Sequence, residues 1–582
     1  MKYMILPAPK SVTECEGCFA LSGCAVLVQN GLDPRVIRAA VGLKEKIAQK
    51  TGGIHRFAAL SGDGKGAVCI KKAADIKTEG YHLEIDADGI TVTGGDDAGC
   101  FYGIKTLLQI LDGADGTVGA MTIDDAPDMA HRGFYHDATR GRVPSVDGIK
   151  KLVDLIASYK MNSLELYVEH PFDFVEFKSD IRTEDDYLTA EDILDIDEYC
   201  YNNFIDFVPS LSTFGHLYEL LTKKEYAHLC ELEGYTPSRH FWSERMAHHT
   251  IDPSNPESFN VIASLIDQYL PLFRSKYFNI CCDETFDLCR GRNKGKNNAE
   301  LYIEFVSKIT AHITAAGKTV MMWGDIALEH PELLPRIPDG TVLLNWQYNA
   351  NPNLSRIEKV RETGVPQIVC PGNNSWTTLV EFIGVSVPNI QKMVRSGYEN
   401  GVLGMLNTNW GDFGHPAHPE CTYYGTVFGA CISWNTETEA DDYYNKAVSK
   451  MVYGTDKNVA EILLSLESAQ HTAGWYQFFE WNESRKAEVF AADTEKISES
   501  IAVCDAIYSE LKDSTGPLYF LAVTAKGIGL LNTAAFEIKQ NGTVSTEWKR
   551  RANLWYGDYE KCWLSSAKPS EVYEIKKFLS KI

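Results

Sequence analysis

The sequence predicts an α/β protein built on an eight-stranded parallel (β/α)8 TIM barrel, preceded by a small α/β domain and followed by a helical C-terminal region. Three observations carry this. From about residue 130, short apolar runs alternate with helices of ten or more residues, the pattern of repeated βα units. Before residue 125 strand-like and helical runs mix without that alternation, and beyond residue 435 strand signals give way to helical periodicity. A length of 582 residues accommodates a barrel of about 250 residues with two smaller units beside it. The expected domains are 1–125, 126–435 and 436–582.

In the first domain, strand-like runs lie at Cys24–Val28, Tyr81–Ile85 and Gly89–Val92, and amphipathic helices at Pro34–Lys50 and Asp97–Leu111. In the second helix Cys100, Ile104, Leu107, Leu108 and Leu111 recur at helical spacing behind an Asp96-Asp97 start, so one face is buried. Pro127, among acidic turn residues, marks the boundary. The barrel strands are expected at Gly133–Asp137, Ser163–Val168, Phe204–Leu211, Tyr277–Cys282, Thr319–Trp323, Val342–Trp346, Gln367–Cys370 and Gly401–Asn407. Helices fit at Ser145–Tyr159, Ala190–Asn202, Pro256–Phe273, Ala299–Ala316 and Leu354–Thr363, with less regular stretches after strands six and seven. The C-terminal region reads as helices at Ala440–Val452, Asn458–Ser468 and Thr494–Leu511. These helices could cover the barrel mouth of a neighbouring subunit in a homo-oligomer, or brace the barrel of their own chain.

With 56 Lys and Arg against 79 Asp and Glu, the formal charge is −23. That excess repels nucleic acid backbones and anionic lipid, so neither is an expected partner. The opening MKYMILPAPK holds only a short apolar run cut by Pro7 and Pro9, too brief for a signal-peptide core, and no later stretch reads as a membrane span. A cytoplasmic location is the expectation. The fifteen cysteines are scattered; Cys15-x-x-Cys18 stands alone, whereas structural zinc needs two such pairs or paired His, so no metal is expected.

In such barrels the working residues lie where strands run into the following loops. In strand order these ends carry His136, Asp137 and Arg140; Glu169 and His170; His216; Asp283 and Glu284; Trp323 and Asp325; Trp346 and Tyr348; Asn373, Asn374 and Trp376; and Trp410, Asp412 and His415. Carboxylates, an Arg and several Trp converging on one rim describe a sugar site, since Trp faces stack on pyranose rings while carboxylates accept and Arg donates hydrogen bonds. The sharpest signal is Tyr277-Phe-Asn-Ile-Cys-Cys-Asp283-Glu284. An apolar strand ending in adjacent carboxylates turns one toward the barrel axis and the other over the rim. Two such neighbours resist simultaneous ionisation, which favours keeping one as an acid. An ordinary Asp-Glu pair opening a loop fits this segment alone equally well.

Taken in order, a series of segments over roughly residues 95–435 resembles glycoside hydrolase family 20, the β-N-acetylhexosaminidases. Asp96-Asp-Ala-Gly-Cys-Phe-Tyr-Gly-Ile-Lys-Thr-Leu-Leu-Gln109 looks like the last helix of that family's N-terminal domain. Arg132-Gly133 with Asp137-Ala-Thr-Arg140 looks like its first barrel strand, and Tyr159-Lys-Met-Asn162 like the lead into the second. Phe214-Gly-His216, Cys282-Asp283-Glu284 and Trp410-Gly-Asp412 stand where the family has its Pro-Gly-His turn, its Asp-Glu pair and its final strand. The resemblance implies an exo-acting enzyme that removes terminal β-linked GlcNAc or GalNAc from glycans or glycoconjugates. It works with retention and without a cofactor, because the substrate's own 2-acetamido group is the nucleophile. It implies Glu284 as general acid and then base, Asp283 on the acetamido N–H and the oxazolinium charge, and His216 beside Glu284. Arg140 would hold O3 and O4, Asp412 the O4 or O6 side, and Trp323, Trp346 and Trp410 would wall the acetamido pocket.

Two strands depart from the family pattern. The second ends Val168-Glu169-His170 where the family has a His-rich run closing in Asp-Asp, so Glu169 or His170 would be the relay partner of His216. The seventh ends Cys370-Pro-Gly-Asn-Asn-Ser-Trp376 without the Tyr that contacts the acetamido carbonyl, a contact left to Tyr348, Asn373, Asn374 or no residue at all. A barrel glycosidase for sugars lacking an acetamide, and a carbohydrate-binding barrel without catalysis, are the alternatives. Gly414-His-Pro-Ala-His-Pro419 reads as a rigid loop rather than a metal site, and His248-His249 as solvated loop. Asp325 fits a helix N-cap and a site residue equally well.

Overall fold

Alternating burial along short runs builds the N-terminal sheet: in Tyr81–Ile85 the residues Tyr81, Leu83 and Ile85 are buried while His82 and Glu84 face outward. The computed structural model describes all residues except 1–2, 177, 179–182, 235–241, 248 and 480–482. Seven strands, β1 (Ser11–Ala20), β2 (Ala25–Val28), β3 (Phe57–Ala59), β4 (Ala67–Lys72), β5 (Tyr81–Ile85), β6 (Ile90–Gly94) and β7 (Thr117–Asp125), lie in the order β1-β7-β5-β6-β4-β2-β3. Helices Pro34–Thr51 and Asp97–Asp112, N-capped by the side chains of Asp33 and Asp96, pack on this sheet and on each other.

The barrel is closed and all-parallel. Its strands are β8 (His131–Asp137), β9 (Ser163–Val168), β10 (Asp206–Leu211), β11 (Tyr277–Asn279), β12 (Thr319–Trp323), β13 (Val342–Trp346), β14 (Gln367–Cys370) and β15 (Gly404–Asn409). One strand differs from expectation in a way that matters. β11 stops at Asn279 rather than Cys282, because the Asn279 Oδ1 accepts the Cys281 N–H at 2.9 Å and Cys281 and Cys282 adopt φ of 57° and 63°. Left-handed backbone cannot continue a strand. After β14 the chain forms a helix, Ile383–Glu399, whose internal Pro388 made that stretch look irregular in sequence.

Buried ion pairs join the N-terminal domain to the barrel. Arg132 pairs with Glu79 through two bonds of 2.8 and 3.1 Å. Lys160 reaches Asp125 at 3.2 Å, and Asp125 also accepts from Tyr81 and from Trp434 Nε1, each at 2.9 Å. At the other end, residues 566–571 lie along the loop after β8: Ser145 N–H donates to the Ser566 carbonyl, Lys568 N–H to Val143 and Glu571 N–H to Gly141, at 2.8–3.1 Å. The C-terminal region therefore braces the barrel of its own chain. Against expectation, its helix Pro517–Asn541 is long and apolar enough to cross a membrane; 78% of that apolar window is buried against neighbouring helices, as in a core helix.

Inside the barrel, Glu165 of β9 is fully buried, with Oε2 accepting from Asn279 Nδ2 at 2.9 Å and Oε1 unpartnered among the described residues. Burial pushes its carboxyl from 4.5 up to about 8. A raised folded value means that the neutral carboxyl's contribution is complete below about pH 4.5 and lost as pH rises through about 8. Glu165→Gln, which keeps an acceptor for Asn279, is expected to lose less Tm between acid and mildly alkaline buffer than the parent. Identical pH dependence of the two melting curves would contradict this.

Candidate active site

The turn that ends β11 places two carboxylates differently. The Asp283 side chain keeps 11% of its surface and Glu284 keeps 30%, so Asp283 faces inward and Glu284 outward over the rim. His216, on the loop after β10, lies between them, with Nε2 3.5 Å from Asp283 Oδ2 and 3.3 Å from Glu284 Oε2. Burial opposes a charge on this imidazole, but Asp283 and Glu284 outweigh it and lift its pKa to about 10. His216 is then an imidazolium near neutral pH and forms an ion pair with both carboxylates. One ligand atom from each of the three lies within 4.8 Å of the others. A protonated imidazole has no lone pair for a metal, so this trio fits an ion-pair hub better than a cation site.

Arg140 forms the second pole. Its Nη1 is 3.1 Å from Asp137 Oδ2 and 3.4 Å from Asp412 Oδ1, and its Nη2 is 3.6 Å from Glu169 Oε1. The guanidinium lies over the rings of Tyr167 and Trp410, at 4.7 and 5.0 Å. Its Nε is buried and has no partner among the described residues. Asp137, given no role by the sequence beyond its place at the end of the first strand, is the organiser: its carboxylate also takes the N–H groups of Thr139, Arg140 and Gly411. The Asp-x-x-Arg spacing was the available signal, since an Asp at a turn bonds to backbone two and three residues on. Burial raises the Asp412 carboxyl; Arg140 opposes this and Asp137 and Glu284 add to it, leaving it at about 6. Glu169 accepts from Tyr167 Oη at 2.7 Å and lies 3.4 Å from His170; Arg140 and His170 overcome its burial and lower its pKa.

The aromatic residues form one cluster between the poles. Trp323, completely buried, meets Tyr135 and Trp410 at centroid distances of 5.1 and 5.8 Å. Trp346 stacks on Tyr348 at 5.1 Å, and Tyr348 meets Trp376 at 5.2 Å; all three remain partly exposed. Trp410 Nε1 donates to the Tyr348 hydroxyl at 2.7 Å.

Three expectations need correction: Asn373 as a site residue, Asp325 as an N-cap and His249 as solvated loop. Asn373 does not face this cluster: it is fully buried, its Nδ2 donates to Thr426 Oγ1 and its Oδ1 accepts from Asn407, so it fastens β14 and β15 to the following helix. Asn374 donates to the Tyr348 carbonyl at 3.2 Å. His415 and His418 are buried, with pKa values lowered well below the ordinary range by burial, and His418 accepts from Arg142. Asp325 is not an N-cap; Gly324 holds that position. His249 is buried edge-on to Tyr218, and His248 lies outside the described residues.

Two family models match this chain in succession: glycosyl hydrolase family 20, domain 2, over residues 2–126, and the glycosyl hydrolase family 20 catalytic domain over 129–381. The chain belongs to glycoside hydrolase family 20. Similar proteins include a β-hexosaminidase of Porphyromonas gingivalis, 28% identical over 291 residues, and one of Akkermansia muciniphila, 24% identical over 352. These matches take in 44% and 54% of this chain, which spans 37% and 66% of the two proteins' lengths. Among solved structures, the Flavobacterium johnsoniae chitobiase shares the fold with a TM-score of 0.65 at 19% identity, over 99% of both chains. A β-N-acetylhexosaminidase from Bacteroides fragilis matches with a TM-score of 0.62 at 18% identity, over 78% of this chain and 95% of its own. The matched catalytic segment stops short of β15, so Trp410 and Asp412 lie beyond it.

The family 20 turn Phe214-Gly-His216 has a tight steric requirement. A Cβ on Gly215 would stand 2.6 Å from the Asp283 carbonyl oxygen, and His216 itself sits at φ 57°. Gly215→Ala is expected to displace the Asp283 peptide, reducing glycoside turnover about 10²-fold while costing about 1–3 kcal/mol in stability. Wild-type turnover in a folded variant would show that this approach does not control the site.

Proposed function

We propose that this chain is an exo-acting β-N-acetylhexosaminidase acting on terminal β-linked GlcNAc or GalNAc of glycans and glycoconjugates. The observation that carries the reading is a pair of unsatisfied buried atoms at the two poles. Asp283 Oδ1, an acceptor, and Arg140 Nε–H, a donor, have no partner among the described residues. A sugar with an N-acetyl group supplies what each lacks, an amide N–H at one end and a hydroxyl oxygen at the other.

In the proposed reaction Glu284, the more exposed carboxyl, protonates the glycosidic oxygen as the leaving group departs. The substrate's acetamido oxygen attacks the anomeric carbon in place of a protein nucleophile. Asp283 accepts the acetamido N–H and faces the positive charge that develops on the oxazolinium ring. Glu284, now a carboxylate, draws a proton from water as it opens that ring, giving retention. Trp346 and Trp410 enclose the acetamido group with Trp323 packed against Trp410, and Tyr348 supplies the contact to its carbonyl. The Tyr348 hydroxyl meets Trp410 Nε1 and the Thr408 side chain, and in this reaction it turns its proton from Thr408 to the acetamido carbonyl. Arg140 and Asp412 read the far hydroxyls, and the 27% exposure of the Asp412 side chain leaves it accessible to one.

Turnover of paired aryl β-GlcNAc and β-GalNAc substrates is the test. Glu284→Gln is expected to lose about 10² to 10⁴ in rate, and near wild-type turnover in that variant would remove the acid assignment. Asp412 accepts a sugar hydroxyl best when ionised. With its pKa near 6, kcat/KM is expected to fall as pH drops through about 6. Asp412→Asn should weaken both substrates and flatten that limb; an unchanged acid limb would clear Asp412 of the role.

A further inference from the structure

Asp325 stands two residues beyond β12, at the first position of the short helix Asp325–Glu329, and is almost fully buried. Its Oδ2 accepts the N–H of Glu284 at 2.9 Å, a contact between strands four and five of the barrel that reaches the peptide of the outward-facing carboxyl itself. Its other oxygen, Oδ1, is buried with no partner among the described residues.

The peptide it holds is strained. Cys281, Cys282 and Glu284 all have positive φ, at 57°, 63° and 48°, a backbone that non-glycine residues keep only where the surroundings over-determine it. Three hydrogen bonds do so here. The Trp323 N–H donates to the Cys281 carbonyl at 3.0 Å, the Tyr302 hydroxyl donates to the Cys282 carbonyl at 2.9 Å, and Asp325 takes the Glu284 N–H. Only the third comes from a group that can carry charge near neutral pH. The charged and titratable groups around it are Asp283 and Glu284 on the turn, Cys282 before them, and Tyr302 from the helix Asn298–Ala315; His216 faces the two carboxylates from the β10 loop. Burial and then Asp283 raise the Asp325 carboxyl to about 7, so its charge changes within the working range of the pair.

We propose that Asp325 is a positioning residue for the acid–base step: it pins the Glu284 peptide in its left-handed turn, and its negative charge makes Glu284 keep its proton to higher pH. The inference rests on the reading of Glu284 as the acid. A like charge close by raises a carboxyl's pKa, so removing it lets Glu284 lose its proton sooner and draws the alkaline limb of activity toward acid.

The experiment compares the pH profiles of kcat and kcat/KM on an aryl β-GlcNAc substrate for the parent, Asp325→Asn, Asp325→Ala and Glu284→Gln, with the melting temperature of each. Asp325→Asn keeps an acceptor for the Glu284 N–H and loses the charge. It is expected to keep kcat within about threefold at its optimum, with the alkaline limb moved acidward by about one unit. Asp325→Ala loses both, and its kcat is expected to fall about 10- to 100-fold with KM altered less than about threefold. An unmoved alkaline limb in Asp325→Asn overturns the proposal even if Asp325→Ala does not fold, as does wild-type kcat in a folded Asp325→Ala. If Glu284→Gln retains turnover, the acid reading falls and takes this proposal with it. If Glu284→Gln is inactive while both Asp325 variants match the parent, only the role of Asp325 falls.

Discussion

His216 is held 3.5 Å from Asp283 and 3.3 Å from Glu284 at a place where burial alone would keep an imidazole neutral. The two carboxyl groups reverse that preference, and the resulting cation lets both sit on one turn at the end of β11. Much of the surrounding structure serves this arrangement. β11 ends at Asn279 so that the next residues can adopt left-handed backbone, Gly215 lacks a Cβ so that the His216 turn can approach the Asp283 carbonyl, and Tyr302, Trp323 and Asp325 tie down each of the strained peptides. Without that restraint the adjacent carboxylates would not settle into one inward and one outward position.

The opposite pole obeys the same electrostatics with the signs exchanged. One guanidinium, Arg140, faces Asp137, Glu169 and Asp412, and lies against the edge-to-face pair Tyr167 and Trp410. Asp137 spends its remaining lone pairs on backbone N–H groups of the β8 and β15 loops, so the arginine is fixed by the two strands that close the barrel. The N-terminal domain holds the underside of β8 and of the chain entering β9 through Arg132 and Lys160, and residues 566–571 lie along the loop that carries Arg140. The catalytic face is thus supported from both ends of one chain.

How much of this could be read from sequence follows from what each feature depends on. β9, β12, β13 and β14 lie where their apolar runs predicted, because strands buried on both faces write themselves as unbroken hydrophobic segments. β1 was not legible: it is an edge strand with most of its residues exposed, so no apolar pattern marks it. The residues at strand ends were found by position, and Arg140, Glu169, His216, Asp283, Glu284, Trp323, Trp346, Tyr348, Trp376, Trp410 and Asp412 do gather on one face. Asn373 was placed there by the same rule and turns the other way, since a strand end does not say which face its next side chain takes. The roles of Asp137 and Asp325 were out of reach because both act on backbone N–H groups, and those contacts depend on how two loops meet in space.

The side of Asp283 that faces the aromatic cluster is the proposed seat of the substrate's acetamido group. Calorimetric titration of the protein with an N-acetylglucosamine-derived thiazoline, set against the same sugar lacking the acetamide, addresses it directly. The thiazoline is expected to bind at least about 10²-fold more tightly than the acetamide-free sugar, as a mimic of the bicyclic intermediate should, and Asp283→Asn is expected to abolish that preference. Equal affinity for the two ligands would instead assign this face of the barrel to a sugar recognised without its acetamide.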